Sequence, residues 1–333
     1  MLSRTADHLY WMARYTERAE NTARMLDVTL TTSLLPQGAG QTERGWLAML
    51  GISELQEGFL SHHEHVNAGA VLDFMIRDPG NPSSIYCCLK AARENARAVR
   101  GAVTTEVWET HNSTWLDLLR HLENGLHKTD PKSFLSWVKF RAHLARGVTI
   151  GTMLRDEAYH FARLGTFLER ADNTARILDV KFHEMSAPLT IAQRVSGQDD
   201  QGHDHASLDY YYWAAVLKSV SAFEIYRRVY RDVITPVRVA ELLILRRDMP
   251  RSLAASLDEV CVNLGYVQNN RSRETQRLAG LLRAELQFGR IDDLLTEGVH
   301  AFLTRFLDRI NHIGQGISQD FLLPLVNDLQ ESV

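Results

Sequence analysis

The segment ERAENTARMLDV at residues 17–28 recurs as ERADNTARILDV at residues 169–180, with ten of twelve positions identical. Each copy sets a glutamate, an asparagine and an arginine at i, i+4 and i+7. These are Glu17, Asn21 and Arg24 in the first copy, and Glu169, Asn173 and Arg176 in the second. On a helix that spacing puts all three on one face. Arg14 and Arg18 flank the first set, and Arg170 follows Glu169. A guanidinium can clamp a carboxylate or phosphate through two parallel bonds, and a glutamate can serve as general acid or base. Glu17 and Glu169 are therefore the candidate catalytic groups. Arg14, Arg18, Asn21, Arg24, Arg170, Asn173 and Arg176 are candidates for binding substrate. The same residue types also make buried polar networks that join helices and fix their register. Both readings stand on these residues alone.

A third glutamate–asparagine pair lies in Arg93-Glu94-Asn95-Ala96-Arg97. This arginine-rich stretch would either pair with carboxylates or face a cleft and bind an anionic group. Arg251, in Pro250-Arg251-Ser252, stands at a helix start where free N–H groups favour an anion, although an ordinary cap explains it as well. Arg93, Glu94, Asn95, Arg97 and Arg251 complete the binding candidates. Glu157-x-x-His160 and Glu297-x-x-His300 match the helical pair of di-iron bundles. That centre needs two more facing glutamates, such as Glu17 and Glu109, and no spacing brings them together. His62-His63-Glu64-His65, His203 and His205 read as solvated positions. Cys87-Cys88 lacks Cys-x-x-Cys spacing, and the chain has no Gly-rich phosphate loop, Gly-x-Ser-x-Gly elbow or His-Glu-x-x-His. No metal or cofactor is expected.

The elements that carry these residues read as helices almost throughout, for strong helix formers dominate and β-branched alternation is nearly absent. Ser3 is the expected cap of a helix reaching about Leu35, where Pro36-Gln37-Gly38 stops it, and Thr42 the expected cap of the next. Asn81-Pro82, Asp130-Pro131 and Thr235-Pro236 are cap-plus-proline starts. The helix after Pro82 is expected to reach about Thr110 with a break near Gly101. The one after Pro131 is expected to reach about Met185 with a kink near Gly147 or Gly151. Residues 208–232, 236–247, 252–267, 271–287 and 290–313 read as further helices, and Ser196 to Ser207 as a polar loop.

The motif repeats at an offset of 152 (169 minus 17), and weaker matches such as Pro82 with Pro250 and Ser84 with Ser252 share an offset of 168. The chain therefore reads as an all-α, internally duplicated helical bundle with pseudo-two-fold related halves. Residues 1–125 form the first repeat, 126–154 a linking helix and 155–333 the second repeat, packed with the first as one body. The 333 residues carry 37 Lys plus Arg against 41 Asp plus Glu, a formal charge of −4. That balance gives no electrostatic reason to bind nucleic acid. No apolar run is long enough to span a membrane, and the start shows no secretory pattern. Three cysteines, two of them adjacent, fit a reducing compartment, so a cytoplasmic location is expected.

The start Tyr10-Trp11-Met12-Ala13-Arg14-Tyr15-Thr16-Glu17-Arg18-Ala19-Glu20-Asn21-Thr22-Ala23-Arg24 resembles the bacterial alpha-E domain family. So do Ala92 to Arg97, Val107-Trp108-Glu109 and Pro250-Arg251-Ser252. The resemblance covers essentially the whole chain. Ala13 departs from it, since the family usually has glycine there, and the added methyl alters packing rather than role. The resemblance implies a helical partner of a circularly permuted ATP-grasp protein and of a transglutaminase-like peptidase. Members are encoded beside these proteins or fused to the ATP-grasp domain. It thus implies a helical partner or substrate-binding subunit of an amide or peptide ligase system, holding an anionic peptide or amino-acid substrate. The alternative is an enzyme acting on the amide product through Glu17 or Glu169.

Overall fold

Ala, Leu, Arg and Glu, recurring at helical spacing, give helix over most of the described residues. The computed structural model describes residues 1–34, 39–186 and 202–323, and among them no strand occurs. The first half contains α1 (Ser3–Ser33), α2 (Ala39–Ile52), α3 (Gln56–Leu60), α4 (Ala68–Arg77), α5 (Ile85–Ala98), α6 (Thr105–Glu123) and α7 (Leu126–Thr129). Then come α8 (Pro131–Thr152), α9 (Glu157–Ser186), α10 (Gly202–Ser219), α11 (Phe223–Tyr230) and α12 (Pro236–Ala240), which runs into a π-helical turn at Glu241–Leu245. The chain continues through α13 (Leu253–Tyr266), α14 (Arg273–Phe288), α15 (Ile291–Glu297) and α16 (Val299–Ile317), the last ending in a π-helical turn at Ser318–Leu322.

The motif helices α1 and α9 lie against each other at the centre. α5 packs on α1, α13 packs on α9, and α8 and α10 close further sides of α1. Every residue from Ala19 to Leu26 is buried, so this stretch has no solvent face. One continuous apolar cluster runs from Ala6 to Leu322 and draws on both halves of the sequence.

Several helix ends differ from the sequence reading. α1 starts at Ser3 itself, with Leu2 in the cap position and no side-chain cap. α2 begins at Ala39, before Thr42. Asn81 does not cap α5. Its Nδ2 donates to the Phe74 carbonyl and its Oδ1 accepts from Ser83 N, which closes the turn, and the cap passes to Ser84, which accepts from Cys87 N. Asp130 and Thr235 do cap, each ahead of its proline. The helix after Pro82 breaks near Gly101 as expected, at Val99–Thr104, whereas two other expected helices break at Met153–Asp156 and at Gly298, whose φ of 97° favours glycine. Gly147 and Gly151 sit inside α8. Helix α10 has already begun at Gly202, within the expected polar loop. The stop at Pro36-Gln37-Gly38 and the loop residues 196–201 lie outside the described residues.

Side chains that bond near the ends of the α5 and α13 helices do so in matched ways. Ser84 Oγ donates to Asp78 O, and Ser252 Oγ donates to Arg246 O. Asn95 Nδ2 donates to Ala91 O, and Asn263 Nδ2 donates to Glu259 O. His8 Nδ1 meets Asn95 Oδ1 at 2.7 Å, and His160 Nδ1 meets Asn263 Oδ1 at 2.7 Å.

The crossing of α1 and α9 is close because Gly165 has no side chain. A Cβ there would overlap the Tyr10 carbonyl oxygen and meet Ala13 Cβ at 3.3 Å. Backbone cannot yield as a flexible side chain would. Gly165→Ala should therefore lower stability by about 1–3 kcal/mol or more, read as a fall in the urea midpoint. An unchanged midpoint would rule out this close crossing.

Candidate functional site

The arginine that follows each motif glutamate reaches across the α1–α9 crossing to the glutamate of the other helix. Arg18 donates from Nε to Glu169 Oε1 at 2.5 Å and from Nη2 to Oε2 at 3.0 Å. Arg170 donates from Nε to Glu17 Oε1 at 2.9 Å and from Nη2 to Oε2 at 3.1 Å. Each pair is a two-point fork, the strong geometry for a guanidinium on a carboxylate. Glu17 is 1% exposed and Glu169 5%.

Further arginines complete each side. Arg14 Nε donates to Glu169 Oε2 at 2.7 Å, and its guanidinium stacks over Trp11 at 5.0 Å. On the other side Arg146 donates to Glu17 Oε2 at 2.9 Å and also reaches Glu20. Arg251 donates to Glu17 Oε1 at 3.0 Å, to Asn21 Oδ1 at 3.1 Å and to Glu20 Oε1 at 2.6 Å. Arg24 donates to Glu20 Oε1 at 2.8 Å, while Arg176 donates to Asp172 Oδ2 at 2.8 Å and pairs with Glu54.

Burial alone would push the Glu17 carboxyl up, but Arg170, Arg251 and Arg146 outweigh it and hold Glu17 far below the usual carboxylate range. Glu169 is likewise pushed up by burial and brought down on balance by Arg14 and Arg18. Both stay ionised and saturated with donors, a state suited to structure rather than proton transfer. Burial raises the thiols of Cys88 to about 12 and Cys261 to about 11, so neither offers a thiolate at neutral pH. Burial, with Arg141 beside it, lowers His111 to about 4, so its ring is neutral.

Beside the Glu169 side of the clamp the packing opens. A cavity of about 200 Å³ is lined by Arg18, Asn21, Ser83, Asp172, Asn173 and Arg176 among others, so motif residues from both helices converge there. Asn21 is 3% exposed, and its Nδ2 has no hydrogen-bond partner. Met25 and Ile52 separate this polar space from an apolar one lined by Val28, Ala48, Ile177 and Val216.

The other sequence candidates lie elsewhere. Arg93 bonds Asn112 and pairs with Glu94, Arg97 faces Glu94 at the surface, and Asn95 holds His8. Arg251 spends its guanidinium on internal carboxylates. Glu157 binds the Met1 amine while His160 holds Asn263. Glu297 pairs with Arg305, whereas His300 meets Asp179. Among the described residues no group of three His, Cys, Asp or Glu side chains converges as a metal would require. Glu20, Asp172 and Arg146 were missed. The first two carried a signal, since both copies keep an acid three residues after the motif glutamate. Arg146 carried none, because its place depends on how α8 folds back.

A family described as Alpha-E, a predicted alpha-helical domain with a conserved ER motif, matches residues 1–322. In the repeated segment, the Glu-Arg dipeptides are Glu17-Arg18 and Glu169-Arg170, the four residues of the crossed clamp. An uncharacterized protein of Mycobacterium bovis and uncharacterized proteins of two Mycobacterium tuberculosis strains are each 23% identical over 336 residues, covering 92% of this chain. The chain spans 35% of the length of these relatives. No solved structure matches it significantly.

Two outcomes follow from the clamp and its neighbours. Glu17→Ala leaves Arg146, Arg170 and Arg251 facing one another in the core and should cost about 3–5 kcal/mol, seen in chemical denaturation. Stability should also fall in acid in two stages. His111 has a folded-state pKa near 4 against an ordinary 6.5. Its contribution is complete above 6.5 and erodes as pH drops toward 4, by on the order of 3 kcal/mol. The carboxylates, lowered in the folded state, begin to lose theirs below about 4.5. His111→Leu should shrink the first stage, to which His127 and His143 also contribute, and leave the second unchanged, and a pH series of urea midpoints reads this directly.

Proposed function

This chain belongs to the Alpha-E family, and we propose that it is a helical partner or substrate-binding subunit of an ATP-grasp amide or peptide ligase system. On this reading it is built from two divergent copies of one helical unit related by a pseudo-two-fold axis, and it works in the reducing cytoplasm. The reciprocal forks of Arg18 on Glu169 and Arg170 on Glu17 support the duplication, as do the matched His8–Asn95 and His160–Asn263 pairs.

One observation carries the functional reading. The motif carboxylates are closed by arginines, whereas motif residues Arg18, Asn21, Asn173 and Arg176 line open polar space. The motif therefore offers a rigid frame and a binding surface, with its two glutamates closed off by arginines. The cavity would hold the amino-acid or peptide substrate, its anionic group toward the guanidinium groups of Arg18 and Arg176. The alternative, an enzyme using Glu17 or Glu169 as acid or base on an amide product, requires carboxylates that are here fully occupied. The longer relatives have room for another domain in the same polypeptide, in keeping with a ligase partner. A transglutaminase-like peptidase would be the third member of the system.

Co-purification with the ATP-grasp protein tests this, followed by ATP-dependent amide formation with and without the chain. The expected result is a stable complex and at least a tenfold gain in ligation. Asn173 makes no side-chain hydrogen bond among the described residues, so Asn173→Leu should reduce ligation while leaving the melting temperature within a few degrees. Equal ligation with and without the chain, and no complex, would refute the partnership.

A further inference from the structure

The two sides of the clamp are filled differently: Glu17 meets Arg146, Arg170 and Arg251, whereas Glu169 meets Arg14 and Arg18. Arg251 precedes the capping Ser252 of α13, and the residue in the same place before the capping Ser84 of α5 is Ser83. Arg251 fills its side, donating to Glu17, Glu20 and Asn21. Ser83 is too short to do so and instead lines the cavity with Glu169, Asp172 and Asn173, the counterparts of those three acceptors.

The acceptors left behind are not equally served. Glu169 has two arginines of its own. Glu20 receives donors from Arg24, Arg146 and Arg251, but Asp172 receives them from Arg176 alone among the described residues. Burial accordingly raises the Asp172 carboxyl, with Arg176 only partly opposing it. Asn21 also lines this space, and its buried Nδ2 has no partner. A buried donor without an acceptor is costly, and a ligand that supplies one recovers that cost.

We propose that this cavity binds a small molecule or peptide end bearing a guanidinium or ammonium group. The cation takes the place beside Asp172 and Asn173 that Arg251 takes beside Glu20 and Asn21. A carboxylate or carbonyl of the same ligand accepts from Asn21 Nδ2. An amino acid with a cationic side chain, free or at a peptide terminus, satisfies both ends. The space suffices for such a molecule in place of several waters. The assignment rests on the reading of this cavity as the substrate site and adds the substrate's positive charge to it.

Titration calorimetry on the full chain, without any ligase, tests the assignment separately from the partnership. The probes are L-arginine, agmatine, neutral L-citrulline and succinate. L-arginine should bind saturably and agmatine more weakly, while L-citrulline should bind at least tenfold more weakly than L-arginine. Asp172→Asn should weaken L-arginine at least tenfold. Ser83→Arg should place the protein's own guanidinium in the cavity, abolish L-arginine binding and raise the melting temperature. The proposal is overturned if neither cationic probe binds the wild-type chain, if succinate alone binds, or if Ser83→Arg folds and still binds L-arginine as tightly. Should Ser83→Arg not fold, the ranking of the four probes on the wild-type chain and the Asp172→Asn result decide the matter.

Discussion

Two arginine–carboxylate forks, crossed between α1 and α9, set the terms for the rest of this protein. Taking four charges out of water is expensive, and the expense is recovered only where geometry is good and each lone pair has a donor. Glu17 and Glu169 meet that condition because arginines arrive from α1, α8, α9 and the start of α13. Those helices must therefore sit in one register. Apolar packing supplies most of the driving force for burial, but Leu and Ala contacts tolerate sliding that a two-point fork does not. Gly165 lets the backbones approach closely enough for the forks to close, and Ala13 is the small neighbour across from it.

Much of the fold could be read from particular residues. Asp130-Pro131 and Thr235-Pro236 start helices because the aspartate or threonine caps and proline needs no N–H. Asn81-Pro82 looked identical, yet the turn claimed the asparagine and Ser84 took the cap. Local chemistry offered two capping residues, and the packing of Asn81 against the Phe74 carbonyl chose between them. The motif glutamates and arginines were identified from their repetition and spacing. Which arginine meets which glutamate was not legible, since the spacing places Glu17 and Arg24 on one face, whereas Glu17 and Glu169 bond arginines of the facing helix and Arg24 bonds Glu20. Arg146 and the cavity depend on contacts between distant elements, and no local pattern announces those.

The clamp also decides where space is left around the repeated motif. A network in which every charge is matched has nothing to offer a ligand. Where Arg251 closes the Glu17 side, Ser83 leaves polar space on the Glu169 side, whose frame Arg14 and Arg18 still hold. Rigid surroundings then hold the remaining polar groups in place without further ordering, the condition under which binding loses least entropy.

The buried stretch from Ala19 to Leu26 has a consequence for synthesis. Glu20 within it pairs with Arg146 on α8 and Arg251 before α13, and Glu17, just ahead of it, pairs with Arg170 on α9, 153 residues downstream. At about 5–20 residues per second, α1 waits on the order of 10–30 s before that helix exists. During the wait Glu17 and Glu20 cannot be buried without heavy cost, so the helix stays in water, kept soluble by the same charges that later lock it. The charges thus delay the burial of α1 until the arginines made later in the chain can neutralise them.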